Sequence, residues 1–419
     1  MKKTNYFYYV FVLVAFSFFN LKGQNFVRVD QSQSGQAISL SSDEVLEIQL
    51  PVTPSNGFAW YLKDANNQIT QQVGAIEQVG GWEFVSNHPE QPVGASGTQI
   101  IRFVSKGAGT TDLNFALVRP SSNETLPGQY NVSVSTAAAY SGTYKAPVEE
   151  EIKAEENLHK TNVLPASFSW LAQKKCSPVK NQGSCGSCWA FAACGVFESD
   201  ILRFDNVTRN LSEQWFVNCS QYDCDGGWCP ADMFKSKGAV YETDEPYKQA
   251  NGTCKSSYPY HEKIMSYKEI GTQPTTDAIK NAIYTYGPVW VCVNAGSNFN
   301  AYSSGVLTKN DAGDINHAVV LVGWDDATSS WVMRNSWGAS WGESGYMRIK
   351  YGICKIGYKA TYFVYKDATT GINTNESAEA TTIYPNPIVD GRFTVNLSHF
   401  SNNESISITV TDVQGRVVS

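Results

Sequence analysis

The sequence predicts a multidomain chain with an N-terminal β-sandwich, a central α+β domain and a C-terminal β-sandwich fragment. Three observations predict this order. Short apolar stretches alternate with turn residues up to about residue 135. All ten cysteines then fall between Cys176 and Cys354. A strand-like pattern returns near the C-terminus, after a polar linker.

The bulk composition is that of a soluble globular protein. The 419 residues are enough for two or three domains, and the net charge is −7 with 17% charged residues. This mildly acidic balance, without a basic tract, gives no reason to expect nucleic acid as a partner.

Residues 1–23 have the order of a secretory signal peptide. Lys2 and Lys3 precede an apolar run from about Tyr6 to Phe19, which is short for a membrane span. We therefore expect export and no stable membrane span in the mature form; a single membrane anchor is the alternative. Ten cysteines fit an exported protein whose disulfides persist.

Residues 25–137, the front domain, are predicted to form a β-sandwich of about a hundred residues. The predicted strands are AISL (37–40), VLEIQLPV (45–52), FAWYL (58–62), TQIIRFVS (98–105), TDLNFALV (111–118) and YNVSVS (130–135). An acidic linker, residues 138–163, follows and has too few apolar residues for a core.

Residues 164–366, the central domain, combine a helical first half with a β second half. A helical stripe runs from Cys188 to Phe204. The predicted strands are PVWVCVNA (288–295), NHAVVLVGW (316–324), SWVMRNSW (330–337) and GYMRIKY (345–351). A second linker, 367–381, leads to the strand-like residues 382–419.

The pair Cys185 and Cys188 has three interpretations: a redox couple, half of a zinc site, or a site in which one cysteine is a nucleophile. A matching second pair for zinc is missing. A nucleophile at the start of a helix gains a stabilised thiolate, and it needs a distant base and a group that orients the base. His317 and Asn335, about 130 and 150 residues downstream, have that spacing. Taken alone, His317 would be interpreted as a packed core histidine and Asn335 as a turn residue.

The central domain resembles the papain family of cysteine proteases over its whole length, with a two-lobed fold. The matching stretches are PVKNQGSCGSCWAF, LSEQWFVNC, CDGGW, YGPVWVCVNA, NHAVVLVGW and NSWGASWGESGYMRIK. The resemblance implies that Cys188 is the nucleophile and His317 its general base and acid. It also implies that Asn335 orients the imidazole, Trp337 shields that contact and Gln182 supplies an oxyanion-hole amide.

The resemblance also assigns disulfides and a substrate pocket. It pairs Cys185 with Cys224 and Cys219 with Cys254, and it leaves Cys354 without its expected partner. Cys176, Cys194, Cys229 and Cys292 are extra; the last two either bridge each other or form small apolar pocket walls. The positions expected to contact substrate are Gly226, Gly227, Trp228, Cys229, Cys292, Ile315 and Ala318, which suggests an apolar P2 residue, whereas Lys359 or Ala360 near the pocket floor leaves an acidic preference open. No insertion resembles the blocking loop of exopeptidase members, so we expect an endopeptidase.

The front domain resembles the chagasin family of cysteine-protease inhibitors, which are immunoglobulin-like sandwiches that insert three loops into papain-type clefts. The stretches LEIQLPVTPSNGFAWYL, PVGASGTQIIRFVSKGAGTTDLNFALVRP and YNVSVST carry the match. The implied inhibitory loops comprise Pro54, Ser55, Asn56, Gly57 and Phe58; Gly94 to Gly97; and Arg119 with Pro120. Thr53, Asn56 and Ser121 depart from the family pattern. A generic ligand-binding sandwich is the alternative.

Residues 382–419 resemble part of the C-terminal sorting domain of type IX secretion in Gram-negative bacteria, on the stretch YPNPIVDGRFTVNL and the later ISITVTDVQGRVVS. A spare β module is the alternative. The resemblance implies contact with a secretion machinery and export through the periplasm to the surface or medium.

The sequence therefore predicts a secreted cysteine endopeptidase that acts on peptides and proteins and is made as a precursor inhibited by its own front domain. Two alternatives are a catalytically silent surface-binding homologue and an inhibitor domain acting in trans. No metal and no organic cofactor is implied.

Overall fold

The computed structural model describes residues 24–88, 91–146 and 164–366, together with the backbone of residues 383–384 and 394–395. The predicted signal peptide (1–23), most of the acidic linker, the second linker and nearly all of the proposed sorting domain lie outside these residues. The chain divides into two units, Met1–Lys366 and Asp367–Ser419. In the second unit, Ile383–Tyr384 pairs antiparallel with Thr394–Val395.

The front domain is a sandwich of ten strands. They are β1 (Asn25–Asp30), β2 (Ala37–Leu40), β3 (Glu44–Val52), β4 (Ala59–Lys63), β5 (Gln72–Val73), β6 (Ile76–Gln78), β7 (Glu83–Ser86), β8 (Gly97–Ser105), β9 (Gly109–Arg119) and β10 (Glu124–Thr136). One sheet has the order β1-β3-β8-β6-β5, with β7 also paired to β8, and the other has the order β2-β10-β9-β4. This confirms a β-rich front region, and all six stretches predicted there are strands.

The two sheets of the front domain enclose a core of their own, because alternate residues of each strand point inward. Leu46, Ile48 and Leu50 of β3 meet Leu113 and Phe115 of β9 in this core, and all are buried. The sequence did not predict β1, β5, β6 and β7, since these strands are short or interrupted by polar residues.

The central domain has a helical and a β half, as predicted. Its elements are β11 (Ser167–Ser169), α1 (Cys188–Asp205), α2 (Glu213–Cys219), α3 (Ala231–Ser236), β12 (Ser266–Gly271), α4 (Thr276–Thr285), β13 (Val289–Val293), α5 (Ser297–Asn300), β14 (Val306–Leu307), β15 (His317–Asp325), β16 (Ser330–Arg334), β17 (Tyr346–Lys350) and β18 (Tyr358–Val364). The sheet order is β12-β18-β13-β15-β16-β17-β14, and β11 also pairs with β15.

Helix α1 is the centre of the helical half. Its residues from Cys188 to Ile201 are buried on every side, including Ala190 and Gly195. The helix also buries Glu198 and Asp200, and each pairs with a cation, Lys180 and Arg203 respectively. It ends where Asn206 adopts the left-handed conformation, φ 54°. The helix thereby carries Cys188 on its first turn toward β15, whose first residue is His317.

Candidate active site

Cys188 is the first residue of α1 and is fully buried. The turn before it is tied down by the disulfide Cys185–Cys224 and by a hydrogen bond from Gly186 N–H to the Cys224 carbonyl (2.9 Å). The exposed amides at the start of a helix favour a negative charge there. The local sequence therefore positions this thiol where a thiolate is stabilised once the site is open to water.

His317 and Asn335 meet at the start of β15. The His317 Nε2–H donates to Asn335 Oδ1 over 2.8 Å, and the main-chain N–H of Ser336 donates to the same oxygen. His317 Nδ1 makes no hydrogen bond to any residue that the structure describes. Since Nε2 carries the proton held by Asn335, Nδ1 is the nitrogen left to exchange a proton with a thiol.

Trp337 covers the histidine–asparagine contact. Its ring stacks on the His317 ring with centroids 5.0 Å apart and planes 24° apart, and the indole is buried. Shielding from water strengthens the hydrogen bond beneath it.

Gln182 lies beside the same segment because the two chains run together. Gln182 N–H donates to the Ser336 carbonyl, and Gly338 N–H donates to the Lys180 carbonyl. The side-chain amide donates from Nε2 to the Cys185 carbonyl (3.0 Å) and accepts from Ser336 Oγ (2.8 Å). These bonds hold the amide against the Cys185 carbonyl, three residues before Cys188.

The predicted pocket residues come together in one apolar cluster. Cys292 and Ala318 face each other across β13 and β15, and both are buried. Trp228, Cys229 and Ile315 pack at the edge of the same cluster. Cys229 and Cys292 form no disulfide, so they are small apolar walls rather than a bridge. Lys359 Nζ lies 4.7 Å from the centre of the Trp228 ring, at the rim of this cluster.

The front domain lies against the cleft formed by these residues, through three loops. In the first loop, residues 54–58, the Ser55 carbonyl accepts from Trp337 Nε1–H (2.7 Å) and Asn56 Nδ2 donates to the Ser184 carbonyl (3.1 Å). The Ser55 side chain also lies beside the Cys188 thiol. This loop therefore covers the nucleophile position.

The second loop, residues 93–96, lies along the glycines predicted to bind substrate backbone. Gly227 N–H donates to the Val93 carbonyl (2.9 Å), and Gly94 N–H donates to the Asn316 carbonyl (3.0 Å). The Val93 side chain is buried within the pocket cluster. Gly97 is not part of this loop, contrary to the sequence prediction, because it is the first residue of β8 and pairs with Val52 and Ser86.

The third loop acts through Arg119. Its Nη2 donates to the Gly183 carbonyl (2.8 Å) and to the Asn56 carbonyl (2.7 Å), so the guanidinium joins the first loop to the central domain. The same side chain lies over the Phe58 ring at 4.4 Å and pairs with Glu124. Pro120 follows in the turn to β10.

Burial under the front domain sets the charge state of the two reacting groups. Burial raises the pKa of the Cys188 thiol to about 12, against weaker lowering by the neighbouring Ala318 main chain and Ser55 side chain. Burial lowers the pKa of His317 to about 4, against the opposing effect of Asn335. Both groups are therefore neutral at pH 7 in this closed arrangement, without the thiolate–imidazolium pair that nucleophilic attack needs.

The structure contains two disulfides, Cys185–Cys224 and Cys219–Cys254, which are the pairs that the family resemblance implies. Cys176, Cys194, Cys229 and Cys292 are not disulfide-bonded. The Cys354 thiol accepts a hydrogen bond from Asp311 N–H (3.4 Å).

Sequence reasoning missed three contributors to the site. Val93 fills the pocket, although the loop was placed one residue later. Tyr247 donates from its hydroxyl to the Gln182 carbonyl (2.7 Å) and contacts Ser187 Oγ (2.6 Å), bracing the turn before Cys188. Ser86 binds Asp314 (2.6 Å). Only Val93 had a local signal, as the one apolar side chain beside the loop glycine.

Comparison with known proteins identifies both domains. Residues 164–364 match the papain family cysteine protease family, and residues 39–135 match the chagasin family peptidase inhibitor I42. The chain thus contains a papain-family cysteine protease domain and, ahead of it, a chagasin-family inhibitor domain. Among the described residues, none of the helices is both long and apolar enough to cross a bilayer.

Individual relatives match the central domain. A senescence-specific cysteine protease of Arabidopsis thaliana is 36% identical over 221 residues, which are 48% of this chain and 63% of the relative. Ananain of Ananas comosus is 36% identical over 215 residues, 48% of this chain and 61% of the relative. The chain thus spans about six tenths of the length of these curated relatives. A solved structure of the bromelain protease from Ananas comosus, bound to an inhibitor, is 33% identical with a TM-score of 0.45 and covers 48% of this chain and 100% of that one.

Proposed function

We propose that this protein is a cysteine endopeptidase made as a precursor that its own front domain holds inactive. The observation that carries the proposal is the first loop, in which Ser55 lies beside the Cys188 thiol and its carbonyl accepts a hydrogen bond from Trp337 Nε1–H. A peptide substrate would need the space that this loop fills.

The chemistry follows from the residues around Cys188. With the cleft open to water, the thiol gives its proton to His317 Nδ1, while Asn335 keeps hold of the Nε2 proton. The thiolate attacks the substrate carbonyl and forms a C–S bond. The carbonyl oxygen then carries negative charge, which the Gln182 amide and the Cys188 N–H stabilise. His317 returns its proton to the leaving amine, and water hydrolyses the acyl-enzyme.

The second loop supports a substrate preference for this enzyme. Val93 and Gly94 hydrogen-bond the central domain as an added strand would, and Val93 fills the apolar cluster. We infer that substrates follow the same course, with an aliphatic P2 side chain where Val93 lies.

The same loop explains why the front domain would block the cleft without being cut. Gly94 has φ +91°, and the Ala95 N–H turns back to the Pro92 carbonyl (3.3 Å). The chain therefore leaves the cleft directly after Gly94, while Ser55 lies over Cys188. No peptide bond of the second loop then lies at the Cys188 thiol, where it could be attacked, because Ser55 of the first loop occupies that position.

We further propose that the protein is exported and carries a C-terminal sorting signal. Two disulfides in the central domain favour an oxidising compartment. The order of basic and apolar residues in 1–23 supports the signal peptide, and the resemblance of residues 382–419 supports the type IX sorting region. Deleting residues 382–419 is expected to keep the protein inside the producing cell, which fractionation would measure.

The test of the activity compares the full chain with its Cys188→Ala variant, following intact mass and hydrolysis of a peptide with valine at P2. We expect the wild type to cut itself in residues 138–163 and then to gain activity that a thiol-directed epoxide inhibitor blocks. The alanine variant should do neither. A wild type that is fully active while uncut would refute self-inhibition, and a chain that never hydrolyses peptide would refute the peptidase.

A further inference from the structure

A fourth contact joins the front domain to the central domain, outside the three loops. It is formed by residues 81–86, which include β7, and by residues 311–314, which precede β15. Ser86 donates to Asp314 Oδ2 from its main-chain N–H (3.1 Å) and from its hydroxyl (2.6 Å). Asp314 N–H donates in return to the Phe84 carbonyl (2.9 Å).

The backbone geometry fits this contact closely. β7 pairs with β8 along one edge, and its other edge bridges to Gly313 through Phe84. Gly313 has φ +117°, and a β-carbon there would overlap the Phe84 carbonyl. Only glycine allows this approach. The edge of β7 that does not pair with β8 thus binds a segment of the central domain.

The chemistry of this contact differs from that of the three loops. The loops bond mainly to main-chain atoms of the central domain, such as the carbonyls of Ser184, Gly183 and Asn316. Main-chain atoms are available in any cleft with this backbone. Ser86 instead binds a side-chain carboxylate, which one substitution removes.

The loops also lack residues that their family uses, at Thr53, Asn56 and Ser121. A domain with weakened loops gains from a contact elsewhere, because tethering already raises its effective concentration at the cleft. Lys355 steadies the receiving segment, since its Nζ donates to the Gly313 carbonyl (2.7 Å) and lies 3.9 Å from the Asp314 carboxylate.

We propose that the contact between Ser86 and Asp314 is a selectivity latch, which pairs this inhibitor domain with a protease that carries a carboxylate three residues before its histidine. The proposal rests on the proposed function and adds a specificity determinant to it. A partner without that carboxylate would keep the loop contacts and lose the latch.

The test uses the full chain and measures peptide hydrolysis in the first minutes, while mass spectrometry verifies that the chain is uncut. We expect Ser86→Ala to raise this residual activity about 3- to 10-fold, the range for losing hydrogen bonds to a half-exposed carboxylate. Ser135→Ala, on β10 and remote from the central domain, is the matched control and should change nothing.

A double variant tests whether the effect of Ser86→Ala on residual activity depends on Asp314. Asp314→Asn alone should raise residual activity to a similar extent, and adding Ser86→Ala to it should give little more. Equal unfolding temperatures for the variants would exclude a folding defect. The latch is refuted if Ser86→Ala stays as silent as Ser135→Ala, or if its effect persists unchanged beside Asp314→Asn. A wild type already fully active when uncut would instead refute the underlying self-inhibition.

Discussion

At the scale of single residues, the site depends on groups whose roles differ although they touch each other. Asn335 holds one nitrogen of His317 and leaves the other for Cys188. Ser55 of the front domain lies beside the Cys188 thiol, and its carbonyl accepts a hydrogen bond from Trp337 Nε1–H. Removing one of these groups should therefore affect either catalysis or latching, and the two effects can be measured separately.

Asn335→Ala should impair catalysis. The variant loses the 2.8 Å hydrogen bond that orients His317, so kcat/KM of the processed enzyme should fall about 10- to 100-fold. Steady-state hydrolysis of the valine peptide across pH measures it. Asn281→Ala, at a half-buried position on α4, is the matched control, and an Asn335→Ala enzyme with wild-type kcat/KM and pH profile would contradict the assigned role.

Gly94→Ala should weaken the contact between the second loop and the cleft. Gly94 has φ +91°, and a methyl group there would overlap the Gly186 carbonyl. Residual activity of the uncut chain should then rise at least ~10-fold. Gly107→Ala is the control, because nothing lies within 4 Å of a β-carbon there. If Gly94→Ala and Gly107→Ala change the residual activity equally, the claim that the second loop approaches the cleft closely is wrong.

At the scale of elements, the sequence predicted the strands and helices whose apolar pattern lies within one short stretch of the chain. β3, β9 and β15 carry apolar or alternating runs, and α1 carries apolar residues at helical spacing, so their type was predictable. β7 has only four residues, and its functional contact joins Ser86 to Asp314 across the chain. Such a contact has no periodic signal. The candidate catalytic residues each lie in a short motif that the sequence alone shows, whereas Val93 and the fourth contact depend on how two domains meet.

A buried ion triad joins the segment just before Gln182 to helices α1 and α2. Lys180 Nζ lies 2.7 Å from Glu198 and 2.8 Å from Glu213, both buried. Burial raises the pKa of Glu213 to about 7, and Lys180 opposes this. Lys180→Met leaves two uncompensated carboxylates, so the central domain should lose about 3–5 kcal/mol of unfolding free energy in urea.

The exposed pair Lys106–Glu77 supplies the control for this prediction. Lys106→Met should cost less than about 1 kcal/mol, because surface pairs are screened by water. A Lys180→Met protein as stable as Lys106→Met would show that the triad does not support the fold.

At the scale of the whole molecule, contact between the two domains is coupled to the charge states of Cys188 and His317. Closing the cleft removes water from Cys188 and His317, which raises the pKa of the thiol and lowers that of the imidazole. In the proposed precursor, the front domain would thus block the cleft sterically and also keep the reacting pair neutral. Any condition that charges the pair favours the open state by the same linkage.

Acid should therefore open the precursor. The pKa of His317 is about 4 when closed and near 6.5 when the cleft is open to water, so only the open form takes up a proton between these values. The opening constant should rise toward ~10-fold per pH unit from pH 6.5 down to 4, with no contribution from His317 above pH 7. Hydrogen exchange of the Gly94 and Gly227 amides in the Cys188→Ala chain, corrected for intrinsic rates, measures this. Adding His317→Asn should flatten the profile, and an unchanged profile would assign the effect elsewhere.

The central claim is that the front domain covers Cys188 in the uncut chain. The most direct measurement is the labelling rate of Cys188 by a thiol-directed epoxide at pH 7, located by peptide mass mapping, before and after cleavage in residues 138–163. The account predicts that Cys188 stays unlabelled in the uncut chain and reacts rapidly once the front domain is released. Equally fast labelling of Cys188 in the uncut chain would contradict it.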